Sequence, residues 1–162
     1  MPTASRSTSG AALGLDYGSV RVGVAISDAL RITTRPLAAL ASEEIVGGLR
    51  TLLDTHKVGV VVVGLPISLA GIEGASATGA RALASEVEAA FGIETVFADE
   101  RFTTTEAEGL LRHKVRDRRE RRKKVDAVAA AVMLQGWLDV QRATDQLPPR
   151  YRAVDERPTD VG

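Results

Sequence analysis

The chain has 162 residues, with 21 Lys and Arg balanced by 21 Asp and Glu and no cysteine, so it has the size of one domain and no net charge. The missing cysteines exclude disulfides, zinc–thiolate sites, iron–sulfur clusters and cysteine nucleophiles, and His56 and His113 alone make a multi-histidine centre a poor prospect. A metal ion here takes oxygen ligands, which points to Mg²⁺, Mn²⁺ or Ca²⁺. Aromatics are scarce, so the core must be built from Val, Leu, Ile and Ala. No apolar run approaches the ~18 residues that span a membrane. Residues 1–11 lack the apolar stretch of a signal peptide and read as a disordered lead-in, which places the protein in the cytoplasm.

From Leu13 to Asp28 the pattern predicts two short strands joined by a tight turn at Gly18-Ser19, with Val22, Val24 and Ile26 alternating along the second. Asp16 interrupts this apolar hairpin, and a carboxylate in such a place is costly to bury without a cationic partner. Ile32-Thr33-Thr34 reads as a third strand stopped by Pro36. Ser42 reads as the N-cap of a helix over about residues 43–56. The β-branched run Val58 to Gly64 predicts a strand buried on both faces. A loop follows to Gly74, then a helix from Ala75 to Phe91 closed by Gly92, and a strand from Glu94 to Ala98. Thr103-Thr104-Thr105-Glu106 fits a capping box opening a short helix. A last helix spans about Lys124 to Arg142, and residues 143–162 read as a flexible tail. An antiparallel opening followed by alternating helices and strands implies an α/β domain over residues 12–142, a five-stranded mixed sheet with helices on both faces.

Three acids, Asp16, Glu100 with its neighbour Asp99, and Asp126, stand where chemistry could gather. Asp16 closes the first strand, and Asp99-Glu100 follow the carboxyl end of another, where ligand sites of open α/β sheets form. Asp126 opens a helical stripe continued by Ala130, Met133 and Trp137. Each also has a plainer reading: Asp16 as a turn residue, Asp99-Glu100-Arg101 as a solvated strand end, and Asp126 as a complement to the helix dipole. The tripeptide carries no weight alone, because Asp155-Glu156-Arg157 repeats it near the C-terminus. Between Arg112 and Lys124 lie nine cations in thirteen residues, a solvated face or a phosphate-binding surface.

Four blocks together resemble the YqgF/RuvX family, whose members are described as Holliday junction resolvases or pre-16S rRNA nucleases. They are Gly14-Leu15-Asp16-Tyr17-Gly18-Ser19-Val20-Arg21-Val22-Gly23-Val24-Ala25, Val62-Val63-Gly64-Leu65-Pro66, Asp99-Glu100-Arg101-Phe102-Thr103-Thr104 and Val125-Asp126-Ala127-Val128-Ala129-Ala130. The resemblance implies an RNase H-like fold and a catalytic, metal-binding triad of Asp16, Glu100 and Asp126 holding Mg²⁺ or Mn²⁺, as a two-metal site. It further implies a phosphodiester hydrolase leaving 5′-phosphate and 3′-hydroxyl ends, in rRNA processing or, alternatively, acting on four-way junctions or single strands in DNA repair. Arg101, Arg116, Arg118, Arg119, Arg121, Arg122, Lys123 and Lys124 would hold the nucleic acid, whether single-stranded or structured RNA or branched DNA, in a segment expected to be mobile without it. The chain departs from the family pattern at Val20, where many members carry lysine, and at Phe102, where leucine is frequent. Symmetric cutting of a junction would require a homodimer. The rivals are a noncatalytic nucleic-acid-binding module, which has no use for a metal, and a fragment of an actin-like ATPase, which needs a second phosphate hairpin.

Overall fold

Strand β1 (Ala11–Asp16) and strand β2 (Arg21–Ser27) form the expected antiparallel hairpin, with Leu13 opposite Ile26 and Asp16 opposite Gly23. They belong to a computed structural model that describes residues 10–66, 74–99 and 118–146. The chain continues through β3 (Thr34–Ala41), a 3₁₀ turn (Ser42–Glu44), α1 (Ile45–Thr55), β4 (Val58–Leu65), α2 (Ala75–Phe91), β5 (Thr95–Asp99) and α3 (Arg118–Gln146). The strands form one mixed sheet in the order β3-β2-β1-β4-β5, antiparallel from β3 to β1 and parallel from β1 to β5. The expected five-stranded α/β architecture is therefore present. The capping-box helix after Thr103 falls outside the described residues.

Period-two alternation sorts the strand residues between two cores. Leu13, Leu15, Val22, Val24, Val61 and Val63 face α1 and α2, while Ala12, Ala25, Val60 and Val62 face α3. Each fully buried Leu or Val contributes about 1.5–3 kcal/mol to the first core. Facing α3, the sheet offers mostly small side chains. The helix answers with Ala127, Ala130 and Ala131 beside Met133 and Leu134, so backbones come close instead of large side chains interdigitating.

Three local expectations are corrected. Pro36 does not stop β3 but lies inside it. That strand is the sheet edge, and the register slips so that Ala38 faces Val24 and Pro36 faces Ala25. A bulge on an edge strand tolerates a residue without an N–H. Ser42 does not cap α1; its hydroxyl donates to the Gly18 carbonyl at 3.0 Å and its amide to the Val20 carbonyl at 3.0 Å, bracing the hairpin turn. The last helix starts at Arg118, not near Lys124, because Arg and Lys are strong helix formers. Residues 118–124 thus belong to the helix, the rest of the basic segment lies outside the described residues, and Asp126 lies about two turns in. Gly92 closes α2 as expected, at φ +64° with its amide on the Glu88 carbonyl.

The β2–β3 loop is held by Asp28, whose Oδ1 accepts from the Ile32 amide at 2.6 Å and the Thr33 amide at 3.0 Å. The amides of Thr33 and then Ile32 hold its carboxyl below the ordinary carboxylate value of 3.8. A depressed folded-state pKa contributes stability that is present above the unfolded value and lost as the pH falls through the folded one. The Asp28→Ala protein should therefore melt below the native protein at neutral pH. The gap should close as the solution is acidified through and below that value, which calorimetry across an acid series measures.

Candidate active site

Along β1 the side chains alternate, Ala12 and Gly14 toward α3 and Leu13 and Leu15 toward α1 and α2. The same period puts Asp16 on the α3 side, at the carboxyl end of the strand. Its register partner is Gly23. A Cβ built on Gly23 would lie 1.9 Å from the main-chain carbonyl oxygen of Asp126. No other residue type fits there without moving the helix. Asp16 and Asp126 are thereby brought to the same end of the same face, with bare backbone between them.

The opposite side of this strand end is pinned as well. Tyr17 turns toward α2, and a Cβ on Gly79 would sit 2.2 Å from its ring. The neighbours of Asp16, Gly23 across the ladder and Tyr17 along the chain, thus make one close approach on each face of the sheet.

Arg21 completes the cluster. Two residues before Gly23, it shares the α3 face, and its Nε donates to Asp126 Oδ2 at 2.7 Å. The two side chains keep 28% and 29% of their exposure, so as an ion pair they add no more than about 1 kcal/mol of stability. Asp126 lies too deep in α3 to act as a complement to the helix dipole, an effect confined to the first turn.

Of the other expected site residues, Glu100, Arg101 and Arg116 lie outside the described residues; β5 ends at Asp99, directly before Glu100. Arg118, Arg119 and Arg121 fall on the first turns of α3. Arg122, Lys123 and Lys124 are exposed, and the two lysines border a groove of about 330 Å³ against Pro36–Ala39 of β3. Val20 is 69% exposed, an apolar residue on the hairpin turn. Among the described residues no group of three or more His, Asp or Glu gathers. The described donors are the carboxylate oxygens of Asp16 at a strand end and Asp126 on α3, with no cysteine anywhere in the chain, and this chemistry fits a hard divalent cation.

The RuvX family, described as Holliday junction resolvase, matches residues 10–140. The chain belongs to this family. A protein of Anaeromyxobacter sp. (strain Fw109-5), named "Putative pre-16S rRNA nuclease", is 46% identical over 134 residues, covering 81% of this chain and 98% of its own. A relative of the same name from Myxococcus xanthus (strain DK1622) is 35% identical over 144 residues, covering 86% and 95%. Thermus thermophilus RuvC, solved in complex with a Holliday junction substrate, matches with a TM-score of 0.50 at 16% identity, over 83% of this chain and 96% of that one. At that identity the likeness concerns the fold, which is RNase H-like.

Within this RuvX domain, sequence reasoning singled out the acids and overlooked Arg21 and Gly23. The signal was available: Arg21, Gly23 and Ala25 share one parity in β2, opposite to the apolar Val22, Val24 and Ile26. A glycine in a strand marks a close approach of another backbone. Gly23→Ala should cost about 1–3 kcal/mol by overpacking. The same change at Gly136, where nothing lies within 4 Å of an added Cβ on α3, should gain about 0.5–1 kcal/mol. Urea midpoints of the two variants should move in opposite directions.

Proposed function

We propose that this chain is a divalent-metal-dependent nuclease that hydrolyses phosphodiester bonds in RNA, in processing the 5′ end of pre-16S rRNA. The observation that carries the reading is that Gly23 pairs with Asp16 and touches the main chain of Asp126, at the strand end where open α/β sheets bind ligands. The names of the relatives support the RNA substrate. The family's description and the RuvC-like fold favour a branched-DNA substrate as the second reading, for which two copies would have to act across a two-fold axis.

Asp16, Asp126 and, from the segment after β5, Glu100 are the residues that would hold Mg²⁺ or Mn²⁺. When bound, such cations supply the charge that activates water and stabilises the departing 3′ oxygen. The chain itself contributes a carboxylate set on rigid elements, Asp16 fixed by β1 and Asp126 by α3. Arg101 is placed by sequence to hold a nonbridging phosphate oxygen or to orient Glu100. The cations of α3, with Arg122, Lys123 and Lys124 exposed, would lie along the sugar–phosphate backbone and give affinity without base specificity. Cleavage would leave 5′-phosphate and 3′-hydroxyl ends.

Labelled single-stranded RNA, precursor-like structured RNA and four-way DNA junctions, each with Mn²⁺, Mg²⁺ or EDTA, test both readings. The Asp16→Asn protein should lose cleavage to background while still binding the strands; cleavage equal to native would sink the nuclease mechanism. Neutralising Arg122, Lys123 and Lys124 together should reduce the slope of log affinity against log salt by about two. An unchanged slope would remove this end of α3 from the interface.

A further inference from the structure

Arg21 is left over once the carboxylates have been given their roles. It is fixed more firmly than an ordinary surface arginine. Its main chain pairs with Ala41 in the β2–β3 ladder, and the turn before it is closed by the two Ser42 hydrogen bonds to Gly18 and Val20. From this anchored position Nε reaches Asp126 Oδ2 across 105 residues of sequence, beside the Gly23 contact that sets the height of α3. The contact engages one carboxylate oxygen, Oδ2, through the Nε edge of the guanidinium.

Such a contact has two opposite consequences for a cation. As a competing charge, Arg21 would repel a divalent ion from Asp126, and its removal would tighten metal binding. As an orienting partner, it would lock the Asp126 rotamer with Oδ2 engaged and Oδ1 turned to the metal, and its removal would weaken binding. Partners of this kind behind a ligating carboxylate are typically worth about 10–100-fold in metal affinity. The second consequence fits the geometry. Nε engages Oδ2 at 2.7 Å from a main chain held in the β2–β3 ladder, so the contact fixes the direction of the Asp126 carboxylate.

We propose that Arg21 is a positioning residue for the metal site: it holds Asp126 Oδ2 so that the carboxylate presents its other oxygen to a divalent cation. This rests on the reading that Asp126 is a metal ligand. Among the described residues, the carboxylate in contact with Arg21 is Asp126 on α3, and Asp16 at the end of β1 pairs with Gly23, two residues along the same strand as Arg21.

The test is titration of Mn²⁺ into the metal-stripped full chain, read by electron paramagnetic resonance of free Mn²⁺, with no substrate present. Arg21→Gln should weaken Mn²⁺ binding about tenfold, the low end of the range because the pair is partly solvated. Its melting temperature in EDTA should stay close to native, as befits a pair of small stabilising effect. Arg35→Gln, which removes an equal charge from exposed β3, should bind Mn²⁺ as the native chain does. Tighter or unchanged binding by Arg21→Gln overturns the proposal, the first by making Arg21 a competitor. A loss matched by Arg35→Gln, or accompanied by a large fall in melting temperature, overturns it too, since the effect would then be general charge or general structure. Asp16→Asn separates the two claims. If it binds Mn²⁺ as tightly as native, the metal-site reading fails whatever Arg21 does; if it weakens while Arg21→Gln does not, only the Arg21 proposal fails.

Discussion

Helix α3 lies against the sheet with its main chain touching β2 at Gly23, and the proposed site depends on that contact. A side chain of any size there would lift the helix and carry Asp126 away from the end of β1. The small residues that follow extend the same constraint. Gly14 meets Leu134 and the Ala130 carbonyl, and Ala12 and Ala25 lie under the alanines of α3. The opposite face carries Leu13, Leu15, Val22 and Val24 and supplies most of the large buried side chains. Burial of large apolar groups on one face thus stabilises the domain, while the thin packing of the other sets distances.

What could be read in the sequence followed from how far each signal travels along the chain. The hairpin, the buried β4 and the α2 helix with its Gly92 stop were legible because period, β-branching and a left-handed glycine act within a few residues. Pro36 and Ser42 were misread because their roles are set by partners distant in sequence: Pro36 by the slip against Ala25 on an edge strand, Ser42 by the turn at Gly18–Val20. Helix α3 already includes Arg118, ahead of the stripe that Asp126 opens, because arginine and lysine carry good helix propensity.

The site shows the same division. Asp16 and Asp126 could be nominated from their apolar surroundings, but the element joining them could not. Gly23 gives no sign of itself except a missing side chain, and Arg21 lies in a strand where its parity matters more than its charge. The longer α3 also removes the plain explanation of Asp126, because a carboxylate two turns into a helix gains little from the dipole. Its observed partner is an arginine from β2, and that contact ties the helix to the same hairpin that carries Asp16.

The proposed site does not lie in the larger cleft. A cleft of about 560 Å³ opens beside Trp137, between the C-terminal half of α3 and the starts of β4 and β5 at Val60 and Val96. It is larger than the groove beside Lys123 and Lys124, and it contains Glu94 and Asp145. Yet it sits at the amino ends of the parallel strands. There the chain enters the sheet, and among the described residues no carboxylate there is carried on the carboxyl end of a strand. At the carboxyl end of β1 the strand stops, Tyr17 and Gly79 clamp one side, and Gly23 admits the helix on the other. An acid held in that way would lose little entropy on taking up a cation, because β1 and α3 have already fixed its main chain and its neighbours. Preorganisation of this kind distinguishes the end of β1 from the larger cleft.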